Sequence, residues 1–396
     1  MKPFRMMPLA GIDNASPEDD RLQVGGDERR NYLRDAVNVD ISATGRARMR
    51  KGLRKVSDEP LACLWQSQLH GDVFAVLGDQ WVKVDVSSWT STPLATIGRG
   101  NASHLVLNNL VLAAGADGIF QFDGQGARRF TLDTPPAPLV EAGAGSLVGG
   151  AYGVALCWLR GAIESPLSPM TQCKVGAGGA LQVTLPLCLD PAVTGVRLYL
   201  TRPDGGELLR GEDYPIGTPT VDIALLPQLG AAPQFQHTEP MPTGPHFGLW
   251  RGRLVTAQAN VLRFSEALAY HVHDPRHGFV QMPQRITFLH PVDGGLWVGQ
   301  VDHVAFLAGA TPGELQMIRK TGKAPVPGSA VAVDAETAGE ASGGGAAVVV
   351  WLAENGYVLG TADGGVIEKQ AKRLRGIAGS RATSIVFANR LMTAVT

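Results

Sequence analysis

Short apolar strands, each introduced by a Gly- or Asn-led turn, recur six times along the chain. They read GDVFAVLGDQWVKVDV from Gly71, NLVLAAGADGIFQFDG from Asn109 and GRLVTAQANVLRFSE from Gly252. Three more are GGLWVGQVDHVAFLAG from Gly294, NGYVLGTADGGVIEKQ from Asn355 and NRLMTAVT from Asn389. In the first five a second strand follows at once, whereas the sixth meets the C-terminus after one. Apolar and polar positions alternating between turn residues mark half-buried antiparallel strands, and no helical period persists beyond about two turns. The pattern predicts an all-β fold.

The spacing of the strands sharpens this. They begin near Asp72, Asn109, Arg253, Gly295, Gly356 and Arg390, and four of the five intervals span 34 to 61 residues. A four-stranded propeller blade takes roughly 40–50 residues, so the chain reads as a six-bladed β-propeller. The longest of those intervals contains Ala335–Gly345 (AETAGEASGGG), read as a flexible loop. The remaining interval is 144 residues, which leaves room for an inserted domain of about 100. The half-hairpin at the C-terminus, with Arg390, Leu391 and Met392, needs a partner strand; Arg46–Val56 is the expected mate, closing the ring with N- and C-terminal strands. The expected domains are an arm and hairpin over 1–45, propeller over 46–134 and 246–396, and the insert over 135–245.

Composition marks the insert. Pro-rich stretches at Thr134–Pro138 and Pro233–His246 bracket strand candidates at Tyr152–Leu159, Met170–Val175, Ala180–Leu185, Val196–Thr201 and Thr220–Ala224. Short strands with frequent turns indicate a β-sandwich. Glu164-Ser165-Pro166-Leu167-Ser168 resembles the E-S-x-x-S corner of fibronectin-III-like modules, and Tyr199 fits an inward-facing tyrosine there. At the other end, residues 1–45 read as an extended arm with a short helical chance around Asp27–Ala36. A hairpin then begins, AVNVDIS followed by RARMRKGL.

Charge is nearly balanced, with 35 basic and 36 acidic residues, so no global attraction to nucleic acid or anionic membrane is expected. No apolar run approaches the roughly 18 residues of a membrane span, and the N-terminus has no apolar core of an export signal. Cys63, Cys157, Cys173 and Cys188 form no metal-type pair and are expected as free, buried thiols. The local exception to charge balance is Arg46, Arg48, Arg50 and Lys51. In a strand the three arginines share a face and could line a channel or meet phosphates. An edge strand protected from aggregation by its charges is the plainer reading.

Candidate chemistry is sparse. There is no GxSxG, HExxH or phosphate loop. Glu164, Glu266 and Asp274 are carboxylates that a glycosidase-like pair would need, although turn and strand-end roles account for them. His271 and His273, two apart on a strand, could share a cation with Asp274 and His277; a polar loop explains them equally. Trp65, Trp81, Trp250, Trp297 and Trp351 are expected in the core. No cofactor is expected.

The N-terminal order GIDNASPEDD then YLRDAVNVDISATGRARMRKG resembles the opening of tail proteins of tailed bacteriophages. Asp35, Asn38, Val39, Asp40, Gly45, Arg50 and Gly52 fit that family's hairpin motif, and the segments around Trp250, Trp297 and Trp351 also look like its pattern. The resemblance is to the propeller-type tail hub, or nozzle and stabilisation protein, of short-tailed phages, and it covers nearly the whole chain. It implies a non-enzymatic virion component that assembles as a homo-oligomeric ring, commonly a hexamer, below the portal and adaptor. Fibre or needle proteins would be further partners. Viral DNA would pass through without sequence-specific binding. Two other classes are open to the sequence: a glycan-binding or depolymerising propeller acting on host surface polysaccharide, and a host-like adhesion module, for which an export signal would be expected.

Overall fold

In the computed structural model, residues 8–17, 23–24, 30–42, 44–52, 54–342, 346–387 and 390–396 are described. The fold is all-β. The helical turns among the described residues are Ala335–Ala338, capped by the Asp334 side chain accepting from Thr337 N at 2.8 Å, and short 3-10 turns at Pro312–Glu314 and Gly339–Ser342. The first part of the stretch expected as a flexible loop is therefore helical, and its residues 343–345 lie outside the described set. Among the described residues, no helix is long and apolar enough to cross a membrane.

The chain forms two compact units, Pro60–Gln281 and Met1–Glu59 with Met282–Thr396. The first holds three four-stranded antiparallel meanders. These comprise Ala62–Gln66 to Thr90–Thr96, Ser103–Leu107 to Ala127–Arg129, and His246–Trp250 to Phe279–Gln281. Their turns obey the chain's local chemistry. Asn108 and Asn109 both have positive φ (48° and 65°), as do Arg251 and Gly252 (47° and 73°). Positive φ at both central residues is what a two-residue type I′ turn requires.

Successive meanders pack face to face. Phe74, Trp81 and Ile97 of the first meet Val111, Phe120 and Phe122 of the second; Leu112, Ala114 and Ile119 then meet Phe247 and Leu254 of the third. The expected copies around Gly71, Asn109 and Gly252 are thus the second and third strands of each meander.

The same unit carries a β-sandwich between its second and third meanders. Leu139–Leu147, Gly179–Thr184 and Thr220–Ile223 form one sheet. The other contains Ile163–Glu164, Gly150–Arg160, Gly195–Leu200 and Leu209–Pro215, with Thr171–Val175 also pairing Gly150–Arg160. Tyr152, Leu156, Trp158, Leu181, Val183 and Leu198 fill the space between them. All five strand candidates are present. Three more strands were not anticipated: Leu139–Leu147 is rich in Gly and Ala, Leu209–Pro215 is charged, and Ile163–Glu164 has two residues.

The other unit holds two further meanders, Ile286–Val292 to Gln316–Thr321 and Val331–Val333 to Val366–Ile367. Phe288, Trp297 and Phe306 of the first pack against Val349, Trp351 and Val358 of the second. Gly360 allows this contact, because a Cβ there would lie 2.5 Å from the Trp297 ring. The copy starting at Asn355 is displaced by one strand: Val348–Ala353 is the second strand of its meander, and Gly356–Gly360 the third.

The chain ends in a hairpin of Ala382–Phe387 and Arg390–Val395. Leu391 reaches Val333, Val348 and Val350 of the preceding meander, and Thr393 Oγ1 accepts from the Tyr357 hydroxyl at 2.9 Å. This corrects the expected closure. Arg390, Leu391 and Met392 pair with Phe387, Val386 and Ile385, so the last strand is the second half of a hairpin. Asn389, taken as its start, lies outside the described residues. Ala47–Met49 pairs instead with Val39–Ile41. No sheet among the described residues contains strands from both ends of the chain.

Those ends nevertheless meet off the ladders. Asn14 N donates to the Arg373 carbonyl at 2.9 Å, Asn14 Nδ2 donates to the Arg375 carbonyl at 3.1 Å, and Asn14 Oδ1 accepts from Arg375 N at 3.0 Å. The Arg373 guanidinium lies 3.9 Å from the Tyr32 ring centroid. Of the stretch expected to be helical, Arg30–Leu33 is a strand, pairing parallel with Leu9–Ile12; residues 27–29 lie outside the described set.

Candidate functional site

The basic residues stand on a small ribbon. Val39–Ile41 and Ala47–Met49 pair antiparallel with Asp40 opposite Arg48. Two motif positions have conformational reasons. Asn38 sits at φ 55°, a region that Asn tolerates better than most residues. Gly45 sits at φ 79°, where a Cβ would also lie 2.6 Å from Pro8 Cβ and 2.7 Å from Leu9 N. Arg46, Arg48, Arg50 and Lys51 are all exposed, and Arg50 Nε comes within 3.9 Å of Asp40 Oδ1. Met49, 88% exposed, and Val37, 76% exposed, add apolar tips. The ribbon can thus offer cations to a large anion without first breaking strong internal pairs.

In the other unit, an open groove of about 310 Å³ brings two of the expected carboxylates together. Its walls include Gln236, His237, Glu266, Asp274 and Arg276. Both acids are occupied. Glu266 Oε2 lies 3.5 Å from Arg253, and Arg276 binds Asp274 with two bonds of 3.0 and 2.7 Å. Those bonds hold the Asp274 carboxyl down to about 2.

The histidines near this groove do not converge on a cation. His271 Nε2 meets the Glu164 carbonyl at 2.8 Å, while buried His273 directs Nδ1 to the Phe264 carbonyl at 2.8 Å. Burial lowers the His271 pKa, with Arg160 adding to the effect. No group of three or more His, Cys, Asp and Glu suited to a metal occurs among the described residues.

Glu164, the third carboxylate, is the centre of a polar network in the sandwich. Arg197 contacts its Oε1 and also binds Asp213 through two bonds of 2.6 Å. The Tyr199 hydroxyl donates to Glu164 Oε2 at 2.8 Å, and the Cys157 thiol lies 3.6 Å from the same oxygen. Burial, reinforced by the Glu164 charge, pushes the Cys157 thiol far up; burial and the Glu164 bond do the same to the Tyr199 phenol. Both groups are therefore held in their protonated forms near neutrality, so neither supplies an anionic nucleophile, and the network is suited to holding the corner in place.

Ser165 and Ser168 complete that corner by accepting from the backbone N–H groups of Trp158 and Leu156 at 2.9 and 3.0 Å. The four thiols are unpaired; Cys157 is buried and the other three are half-buried. Trp81, Trp250, Trp297 and Trp351 are buried, whereas Trp65 is half-buried and stacks on His104 at 5.4 Å.

No known protein family matches the chain, and no curated protein does. Solved structures similar to it include the β-propeller domain of Cps50 (Swd1) from Myceliophthora thermophila. That pair shows 10% identity, 79% coverage of this chain, 86% of the other and a TM-score of 0.30. Apo AztD from Citrobacter koseri shows 12% identity, coverage of 79% and 88%, and a TM-score of 0.28. The extracellular domain of the one-component system BT4673 from B. thetaiotaomicron shows 10% identity and a TM-score of 0.29. This chain aligns over 85% of its length there but spans only 37% of that protein. At such TM-scores the likeness carries no argument about what the chain does.

Proposed function

We propose that the chain is a non-enzymatic structural component of a bacteriophage virion tail. It would be a homo-oligomeric hub or nozzle, hexameric by family analogy, that extends or gates the DNA channel below the portal and adaptor and anchors fibres or a needle. The observation that carries this reading is the ribbon. The motif residues Asp35, Asn38, Val39, Asp40, Gly45, Arg50 and Gly52 fall on or beside one exposed hairpin, and Asn38 and Gly45 occupy backbone conformations that suit their types. The finer architecture proposed is a six-bladed propeller. Five four-stranded meanders and the terminal hairpin supply the six sheets, and the free edge of Arg390–Val395 is where the sixth would be completed. Loops at the faces of such a disc can vary at little cost to the core.

A glycan-active propeller is the second reading, favoured by one fact: Glu266 and Asp274 share a groove. Asp274, held near 2, could not supply the proton a glycosidase acid must donate at neutral pH. Two measurements separate the readings. Negative-stain imaging of the purified protein, alone and with the portal–adaptor complex of its virion, should reveal rings. A persistent monomer, together with no peptides of this chain in purified virions, would overturn the tail assignment. Release of reducing ends from host surface polysaccharide would establish the second reading instead.

A further inference from the structure

Two stretches of this chain carry basic residues and no acidic ones. Between Asp40 and Asp58 lie Arg46, Arg48, Arg50, Lys51, Arg54 and Lys55; from Lys369 to the C-terminus the basic residues begin with Lys369, Lys372, Arg373 and Arg375. Both stretches belong to the same compact unit, and one short strand ties them together. Leu9 N donates to the Gly45 carbonyl at the ribbon's turn at 2.9 Å. Five residues further on, Asn14 is bonded to Arg373 and Arg375. An extended chain advances about 3.3 Å per residue, so the ribbon turn and the Arg373–Arg375 segment are held within roughly 20 Å of each other.

The side chains divide into those that build this link and those that remain exposed. Arg373 covers Tyr32, Arg375 Nε donates to the Asn14 carbonyl at 3.0 Å, and Arg50 leans toward Asp40. Arg46, Arg48, Lys51, Lys369 and Lys372 are exposed, with no carboxylate in ion-pair reach among the described residues. Lys369 and Lys372 sit on a tight turn in which Arg373 N and Leu374 N both donate to the Gln370 carbonyl at 2.9 Å. Their spacing of three puts both on one side of that turn.

We propose that these five cations form one phosphate-binding surface for duplex DNA, its two halves held in register by the Leu9–Asn14 segment. A separation of about 20 Å is less than one duplex turn of roughly 34 Å, so both halves can reach the same DNA segment. Point charges on exposed elements contact phosphates and carry no base readout, which makes the binding sequence-independent. Such contacts are weak at physiological salt, with Kd of roughly 10⁻⁴–10⁻⁶ M, and so compatible with DNA that must move past. The inference rests on the tail-channel reading and adds the Lys369–Lys372 half to it.

The test is fluorescence anisotropy of a labelled duplex of about 30 base pairs against the full-length protein, over salt of roughly 25–200 mM. Five phosphate contacts predict a slope of log K against log salt of about −4.5, and Lys369→Ala/Lys372→Ala should reduce its magnitude by about 1.8. Arg46→Ala/Arg48→Ala should do the same, with thermal melts of both variants matching the parent as the folding control. No DNA binding at the lowest salt, or an unchanged slope in the lysine variant, would overturn the proposal. Competition by polyglutamate as strong, charge for charge, as by duplex would also overturn it, pointing to an acidic protein partner. Ring formation is scored separately: DNA binding without rings sinks the tail-hub reading alone, and rings without DNA binding sink this inference alone.

Discussion

Replacing Arg197 by Met isolates what holds the sandwich corner. The Arg197 side chain is 13% exposed and bridges Glu164, 19% exposed, to Asp213, 36% exposed. The substitution keeps the length of the stem and removes the cation, leaving two carboxylates without their shared partner. Breaking a fully buried pair costs about 3–5 kcal/mol. Here the cost is smaller, because Asp213 retains water and the Arg210 bond at 3.1 Å, and Glu164 retains the Tyr199 hydroxyl. We expect about 2–3 kcal/mol, which for a domain of about 100 residues lowers the melting temperature by roughly 10–20 °C.

Differential scanning calorimetry of the full chain reads the transition that contains the sandwich. Adding Glu164→Gln to the variant removes one stranded charge and should recover part of the loss. A second readout follows from Asp213, whose pKa the Arg197 bonds lower. Its stabilising contribution is complete above the ordinary carboxylate pKa of about 3.9 and fades as pH falls through the depressed folded value. That acid-limb loss should shrink in Arg197→Met. A melt within about 1 °C of the parent, or no recovery in the double variant, would refute the assignment of the network as the corner's anchor.

Three further outcomes are expected. His104 Nε2 is enclosed and unpartnered, and His290 is likewise held by burial; both rings are pushed down to about 4. A folded pKa below the unfolded value of about 6.5 means that stability is complete above about 6.5 and is lost toward about pH 4, by up to roughly 3 kcal/mol per ring. Urea midpoints that do not fall over that window would contradict it. Gly360→Ala should destabilise by about 1–3 kcal/mol through overpacking against Trp297, and an unshifted melt would mean that the two meanders can separate freely. Deleting residues 389–396 removes the Arg390–Val395 strand and the Leu391 contact. If the proposed six-bladed ring is right, the transition of the unit holding residues 282–396 and the sandwich transition should shift together; a sandwich transition that stays in place would count against the ring.

Much of the fold is written locally. The repeated turn-and-strand segments form strands because Asn108-Asn109 and Arg251-Gly252 accept positive φ and the flanking apolar residues alternate. The insert's five regular strands are legible for the same reason. Leu139–Leu147 is not, since its Gly and Ala residues have little strand preference and its pairing with Gly179–Thr184 supplies the order. The candidate site was legible only in part. The row of arginines is visible as alternate cations, whereas the Lys369–Lys372 half matters only because Asn14 reaches Arg375 across 361 positions.

Turn chemistry and apolar periodicity over a few residues were enough for the all-β class, the five regular strands of the insert and the burial of Trp81, Trp250, Trp297 and Trp351, whereas Trp65 and three of the four thiols expected to be buried are half-buried. Tertiary structure alone decided the partners. Arg390–Val395 pairs with the strand before it, Ala47–Met49 pairs within its own ribbon, and the chain's ends meet through Asn14. It also gave the carboxylates singled out as chemical candidates arginine partners. Pairing between distant segments depends on which edges and charges chain folding brings together, and local preference does not encode that choice.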